Sequence, residues 1–407
     1  MIRDFAAGQA DLMKNMPGRR FISFVLLLVG AMCFGPASRL AFGDDALAAG
    51  PLVTNLPGSL YPQVTSDRVV TFRIKAEQAR QVQIEIQLPS PLVLDMTKDQ
   101  DGYWLAKTSP VPTGFFYYSV IVDGFATTDP GSRIFSGRGG LSSAIEITSS
   151  NVEYYDISAI PHGTIREMHY YSQSVGSWRN ITVYTPPDYD VQSAVRYPVL
   201  YLQADSGEDE TAWARQGREG YILDKLIDEG LIRPIIVVNE NGTVRVGNDT
   251  STDDTGVVFD QVIAKELVPF IDKSLRTLPD RADRAFAGFG KGADQAMSIA
   301  LAHPDEFSGI GAFNPAFSEF NPGEDAGRGI FDAAALNRSL RLFYVGVTTD
   351  DPLYLSVEDA HQSLDKAGVV TMFVKSKGPV GWVLARRQLA DFVPRLFAAR
   401  PRGAAAR

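Results

Sequence analysis

Cysteine is almost missing from this chain. The single one, Cys33, lies in an N-terminal apolar segment, so the remainder can form no disulfide, no cysteine nucleophile and no thiolate metal site. Histidine is scarce too: His162, His169, His303 and His361 are the whole supply of imidazole. Positive charge is in deficit. The net charge of −9 argues against nucleic acid and anionic membrane surfaces as partners. No Gly-x-Ser-x-Gly turn occurs anywhere in the 407 residues. What remains is an ordinary globular composition, long enough for a large core and for two folded parts.

The first 43 residues read as an address. Arg19 and Arg20 precede "FISFVLLLVGAMCFG", a run too short to span a bilayer comfortably. Ala41 and Gly43 are small residues at the spacing of a processing site, so cleavage is placed after Gly43 and residues 1–43 are read as a signal peptide. The paired arginines point to twin-arginine export, to the periplasm or the exterior, with no stable membrane insertion after cleavage. An uncleaved anchor is the alternative. Met32 is too bulky to precede a lipoprotein cysteine at position 33.

Residues 44–155 carry short alternating runs. Val70, Phe72 and Ile74 share one face, as do Val82, Ile84 and Ile86, and then Tyr118, Val120 and Val122. Turn signals such as "KDQDGYW" and "DPGSR" separate them, and this spacing suggests an immunoglobulin-like β-sandwich. Over 165–400 the pattern changes to apolar strand-like runs, among them "YPVLYLQ", "RPIIVVNE" and "LRLFYVGV". They alternate with helical stretches such as "GADQAMSIALAHP" and "VLARRQLADFVPRLFAA". The expected fold class is therefore α/β, a doubly wound and mostly parallel sheet after a small all-β part, with 401–407 as a tail. Ligands of such sheets bind beyond the carboxyl ends of the strands.

Three stretches bear on chemistry. "AGFGKGADQAMSIALAHPDEF" has the form of a strand, a sharp turn and a helix, with Gly290 between Gly288 and Gly292. "YLQADSGEDETAWARQG" ends an apolar strand in the polar loop Ala204–Asp205–Ser206. "GVTTDDPLY" and "KGPVGWVLARRQLADFVPRLF" follow in order, carrying Asp351 and Val380. In this order, over roughly residues 50–400, the chain resembles the Putative esterase family of α/β-hydrolases, which includes enterochelin, feruloyl and acetyl-xylan esterases. It is most similar to members that begin with a sandwich of the glycogen-branching-enzyme (CBM48, E-set) type.

The resemblance implies an α/β-hydrolase fold and a catalytic set, and the set is degenerate. Gly290 stands at the nucleophile's place and has no hydroxyl; glycine also enters the strained elbow conformation almost freely. Val380 stands at the histidine's place and cannot move a proton. Ala204, Asp205 and Ser206 replace the His-Gly-Gly loop of the oxyanion hole. Asp205 either sets a carboxylate where negative charge must be stabilised or turns outward and caps its loop. Asp351 keeps the place of the acid, with no histidine to orient, and is expected to hold its loop by hydrogen bonds. His162 and His169 are expected far from the sheet's carboxyl edge, His303 at a helix end and His361 mid-helix.

The expected function is an exported esterase homologue without serine-hydrolase activity, a pseudoenzyme that binds or scaffolds. A small-molecule or carbohydrate ester would be its ligand, with Trp213 and Trp382 near the cleft or packed in the core. No cofactor and no metal are expected. Two enzymatic alternatives stand beside it. One is acid–base or cation chemistry by Asp205, Asp209, Glu210, Asp350 and Asp351. The other is an ordinary esterase working through another hydroxyl such as Ser206.

Overall fold

A computed structural model describes residues 49–137, 139–148, 154–244, 255–317 and 332–399. The signal-peptide expectation for 1–43 and the tail at 401–407 lie outside these residues. The described residues fall in one compact unit.

The N-terminal part of that unit is built from two antiparallel sheets. Strand alternation decides which side chains meet. In Val70–Lys75 the residues Val70, Phe72 and Ile74 are buried while their neighbours face outward. Val82, Ile84 and Ile86 of Val82–Ile86 do the same in the other sheet. They pair in register with Val122, Val120 and Tyr118 of Gly114–Val122. These faces close on one shared core that also takes in Trp104 and Ile145. Each such side chain contributes about 1.5–3 kcal/mol on burial, and the alternation directs that contribution to the contact between the two sheets.

The second part is one eight-stranded sheet among the described residues. Its spatial order is Thr164–Ser172, Ser177–Thr185, Ile236–Glu240, Val199–Gln203, Arg284–Phe289, Gly309–Phe313, Leu342–Thr348 and Met372–Ser376. The first three strands pair antiparallel and the rest parallel. The central strands are buried along their whole length, as expected of parallel strands covered on both faces. One face packs against the helical stretch 255–274 and the helix Lys291–Ala302. The other packs against Glu219–Asp228 and Trp382–Phe397.

Two details depart from the sequence reading. The stretch "VVFDQVIAKELVPFIDKSL" is helical as far as Ser274 and widens to π geometry at Val262–Leu267. A further short helix, Ala333–Ser339, starts where Asp332 caps the N–H groups of Ala334 and Ala335. No helix among the described residues is long and apolar enough to cross a membrane.

Candidate functional site

The strand Arg284–Phe289 ends in a turn at Gly290, and the helix Lys291–Ala302 starts directly after it. Gly290 adopts φ 58° and ψ −122°, a conformation that strains any residue with a Cβ. Close packing explains its neighbour. A Cβ on Gly292 would overlap Ala204 O and lie 2.7 Å from Gln203 O, so the helix can press against the strand Val199–Gln203 only without a side chain there.

The space above Gly290 is filled. A Cβ built on it would overlap Oδ1 and Cγ of Asp205 and come within 2.7 Å of Oδ2. The loop after Val199–Gln203 delivers this carboxylate. Its Oδ1 accepts hydrogen bonds from the backbone N–H of Ser206 at 2.7 Å and of Lys291 at 2.9 Å. The two options open for Asp205 are thus realised in one geometry: it caps, and it does so by pointing inward at the head of the helix. There a carboxylate is favoured by unsatisfied N–H groups and by the helix dipole.

Around this point lies a cavity of about 1040 Å³. Gln87, Pro112, Phe116 and Tyr117 of the N-terminal sheets form one wall. Asp205, Glu208, Phe289, Val380 and Trp382 of the α/β part form the other. The cavity sits beyond the carboxyl ends of the parallel strands, where this class of sheet places its ligands.

A hydrogen-bonded knot closes the floor. Tyr117 Oη donates to Glu208 Oε1 at 2.6 Å, and Trp382 Nε1 donates to the same oxygen at 3.0 Å. Gln216 Nε2 donates to Tyr117 Oη at 3.0 Å. Loss of water around Glu208, with the Asp205 charge nearby, pushes its pKa up to about 8, and burial pushes the Tyr117 phenol well up. Glu208 and Tyr117 were absent from the sequence reading. The available signal was Glu208 three residues after Asp205 in "DSGE"; its partner Tyr117 lies 91 residues away.

The remaining expected positions fall as follows. Val380 is 44% exposed on the cavity wall. Asp351 holds its loop: its Oδ1 accepts from the N–H of Leu353 at 2.8 Å and its Oδ2 from Asn314 Nδ2 at 2.6 Å. Asp350 accepts from the Gly378 N–H at 2.8 Å, tying the two loops together. Trp213 is fully buried, with its Nε1 bonded to Gln203 O, and stands edge-on to Trp382 at 5.2 Å. It does not reach the cavity wall, whereas Trp382 does. Ser206 is exposed at the cavity mouth. Asp209 accepts from Thr211 at 2.7 Å. Glu210 is pushed up by burial, beside the Asp209 charge. No group of three or more histidine, cysteine or acidic residues able to hold a metal is found among the described residues.

None of the four histidines lines the cavity. His162 bonds Asp224 at 2.8 Å, His303 bonds Asp260 at 2.7 Å, and His361 bonds Thr371 at 3.0 Å and stacks on Phe373. His169 bonds Asn180 at 2.8 Å. One placement needs correction here. Asn180 precedes Ile181, which pairs with Glu240 at the end of its strand, so His169 lies at the sheet's carboxyl edge. It sits there on the outermost strand, pointing to solvent.

Comparison with known proteins supplies independent findings. Residues 172–355 match the model of the family described as Putative esterase. An endo-1,4-β-xylanase/feruloyl esterase of Xylanibacter ruminicola is 35% identical over 268 residues, which is 63% of this chain. The chain spans 36% of the length of that relative. Among solved structures, an enterochelin esterase from Shigella flexneri superposes with a TM-score of 0.60 at 16% identity, over 82% of this chain and 94% of its own. A ferulic acid esterase from Anaeromyces mucronatus, solved with ferulic acid, gives 0.54 at 18% identity, over 63% of this chain and 99% of its own. These structural likenesses carry the α/β-hydrolase fold.

Proposed function

Residues 172–355 belong to the Putative esterase family, and from that membership we propose that the chain is an esterase-fold binding protein without serine-hydrolase chemistry. The carrying observation is the head of the helix Lys291–Ala302, where Gly290 offers no hydroxyl and the carboxylate of Asp205 occupies the space a nucleophile's side chain would need. Acyl transfer needs a nucleophile, a base within hydrogen-bond reach and donors for the oxyanion. Here the base position is Val380, the four histidines are bonded elsewhere, and the two converging N–H groups already serve an anion of the protein. The cavity itself persists, large enough for a drug-sized ligand. A small-molecule ester of the class its relatives act on is the proposed occupant.

Two further parts belong to the same reading. The division at 44–155 and 165–400 is proposed as an immunoglobulin-like sandwich fused to the hydrolase fold, with the sandwich wall shaping the cavity. Export is proposed from the arginine pair and apolar run of residues 1–43.

The test is calorimetric titration with methyl ferulate beside turnover of methyl ferulate and p-nitrophenyl acetate and labelling by a fluorophosphonate. Binding with no turnover and no label is expected. Turnover by the unaltered chain would overturn the proposal. A second reading, hydrolysis through carboxyl groups, is favoured by one observation: the carboxyl groups of Asp205 and Glu208 both line the cavity, and burial pushes that of Glu208 up to about 8, where it suits a general acid. Turnover abolished by Asp205→Asn and by Glu208→Gln would establish it.

A further inference from the structure

The hairpin of Thr164–Ser172 and Ser177–Thr185 runs past the sheet it borders. Ile181 pairs with Glu240, the last residue of the neighbouring strand, so Trp178 stands about 10 Å beyond that strand's carboxyl end. Tyr171 lies directly opposite Trp178 in register. Their rings meet edge to face at 5.7 Å, yet Trp178 is 70% exposed and Tyr171 45%. The other tryptophans, Trp104, Trp213 and Trp382, are buried. The next pair on the same face is His169 and Asn180, both exposed and hydrogen-bonded to each other at 2.8 Å. Alternation fixes which face this is. Trp178, Asn180, Thr182 and Tyr184 point the same way, and Tyr184 packs in the core that holds Trp213 and Trp382. Trp382 lines the cavity. The aromatic pair therefore sits on the cavity's side of the sheet, at its carboxyl edge.

Two rings bordered by an imidazole and an amide are far too small for a protein partner, which needs about 800 Å² of matched surface on each side. They suit a flat neutral molecule with apolar C–H faces and a rim of hydroxyls. The negative face of an aromatic ring attracts C–H groups made weakly positive by neighbouring oxygens, and His169 and Asn180 can exchange hydrogen bonds with hydroxyls. We propose that Tyr171 and Trp178 form a stacking platform for a neutral β-1,4-linked pyranose chain, whose equatorial hydroxyls leave such C–H faces on both sides of each ring. Three strand spacings separate Ser177–Thr185 from Arg284–Phe289, about 14 Å, so a chain of a few sugars held on the platform can present an ester side group to the cavity. That last link rests on the reading of the cavity as an ester site; the platform's own binding does not.

The experiment is calorimetric titration of the full chain with xylohexaose and with cellohexaose, beside methyl ferulate. At least one hexaose should bind. Trp178→Ala should weaken it about tenfold, the value of one ring stack, and leave methyl ferulate unchanged; Trp178→Phe, which keeps a flat ring, should retain most of the affinity. Binding of neither hexaose to the unaltered chain overturns the proposal, and so does hexaose affinity indifferent to Trp178→Ala. A dimer in sedimentation that Trp178→Ala dissolves overturns it as well, since the occupant is then a second copy. Failure of methyl ferulate alone strikes the cavity reading and leaves the platform standing. Should Trp178→Ala not fold, tryptophan emission of the unaltered chain carries the test: Trp178 is the exposed tryptophan, so the hexaose should shift the emission to the blue, and an unchanged spectrum at saturation overturns the proposal.

Discussion

The seam between the N-terminal sheets and the α/β part and the turn at Gly290 both border the same cavity, but they are built to different standards. At the seam, Glu146 of the strand Gly140–Ile147 is buried and accepts from Arg386 Nη1 at 2.6 Å and from Arg218 Nη2 at 2.7 Å. Arg386 is wholly buried. Its Nε donates to Gln216 O at 2.8 Å and its guanidinium lies 4.5 Å from the Tyr155 ring. Buried charges persist only when they are paired and hydrogen-bonded, and these are. At the turn, Gly290 offers no side chain, and the carboxylate of Asp205 fills the space above it. The difference is one of role: the contacts at the seam fix one part against the other, while those at the turn seat a single carboxylate at the head of a helix.

Breaking the seam should have the largest effect. Glu146→Ala leaves the wholly buried Arg386 without its carboxylate, while Arg218 keeps Asp156 at 3.1 Å, and loss of one partner of a buried pair costs about 3–5 kcal/mol. Urea unfolding of Glu146→Ala against the unaltered chain measures it. A difference below about 1 kcal/mol would mean the seam is ornamental and the comparison void.

Restoring the floor comes next. Gly290→Ser with Val380→His supplies a hydroxyl and an imidazole, but the serine's Cβ and the Asp205 carboxylate then compete for one space. Adding Asp205→Gly should raise p-nitrophenyl acetate hydrolysis about 10²-fold over the double variant, the value of an oxyanion donor regained. Equal rates in double and triple variants would show that Asp205 is no obstacle, and that the floor was disarmed by the two other replacements alone.

How much of this could be read from residues alone follows from how local each feature is. The alternation of Val70, Phe72 and Ile74 and the apolar run at Val199–Gln203 are local, and their strands form where the pattern places them. The turn at Gly290 is local too: three glycines at alternate positions before a helical run mark it. The helix Ala333–Ser339 carries a capping aspartate but only seven residues, too few for a period to register. The seam left no signal, because Glu146 and Arg386 stand 240 residues apart and a paired buried charge has no periodicity. Asp205 was visible as a residue and ambiguous as a direction, since a loop carboxylate can cap inward or outward and only the neighbouring helix head decides. Trp213, a plausible cleft aromatic by position, is drawn into the core by its bond to Gln203 O and its packing against Trp382.

The remaining test concerns Glu208, which belongs to both regions, being bonded to the sheet wall through Tyr117 and to the floor through Asp205. Its folded pKa of about 8 exceeds the usual 4.5 because burial penalises the ionised carboxyl. Between those two values the folded chain holds a proton that the unfolded chain has released, so raising the pH through this window lowers stability, by at most about 1.4 kcal/mol per pH unit for one group. Glu219, also pushed to about 8 by burial, and Glu240, pushed to about 7, act in the same sense. Glu208→Gln should therefore match the unaltered chain at pH 5, where the carboxyl is protonated in the fold, and lose less stability by pH 8, with Glu219 and Glu240 supplying the fall that remains. Urea midpoints at pH 5, 6.5 and 8 decide it. Parallel profiles for the two proteins would place Glu208 with the ordinary ionised carboxylates of the surface, and its bonds to Tyr117 and Trp382 would then describe an anion held at the seam instead of a proton stored there.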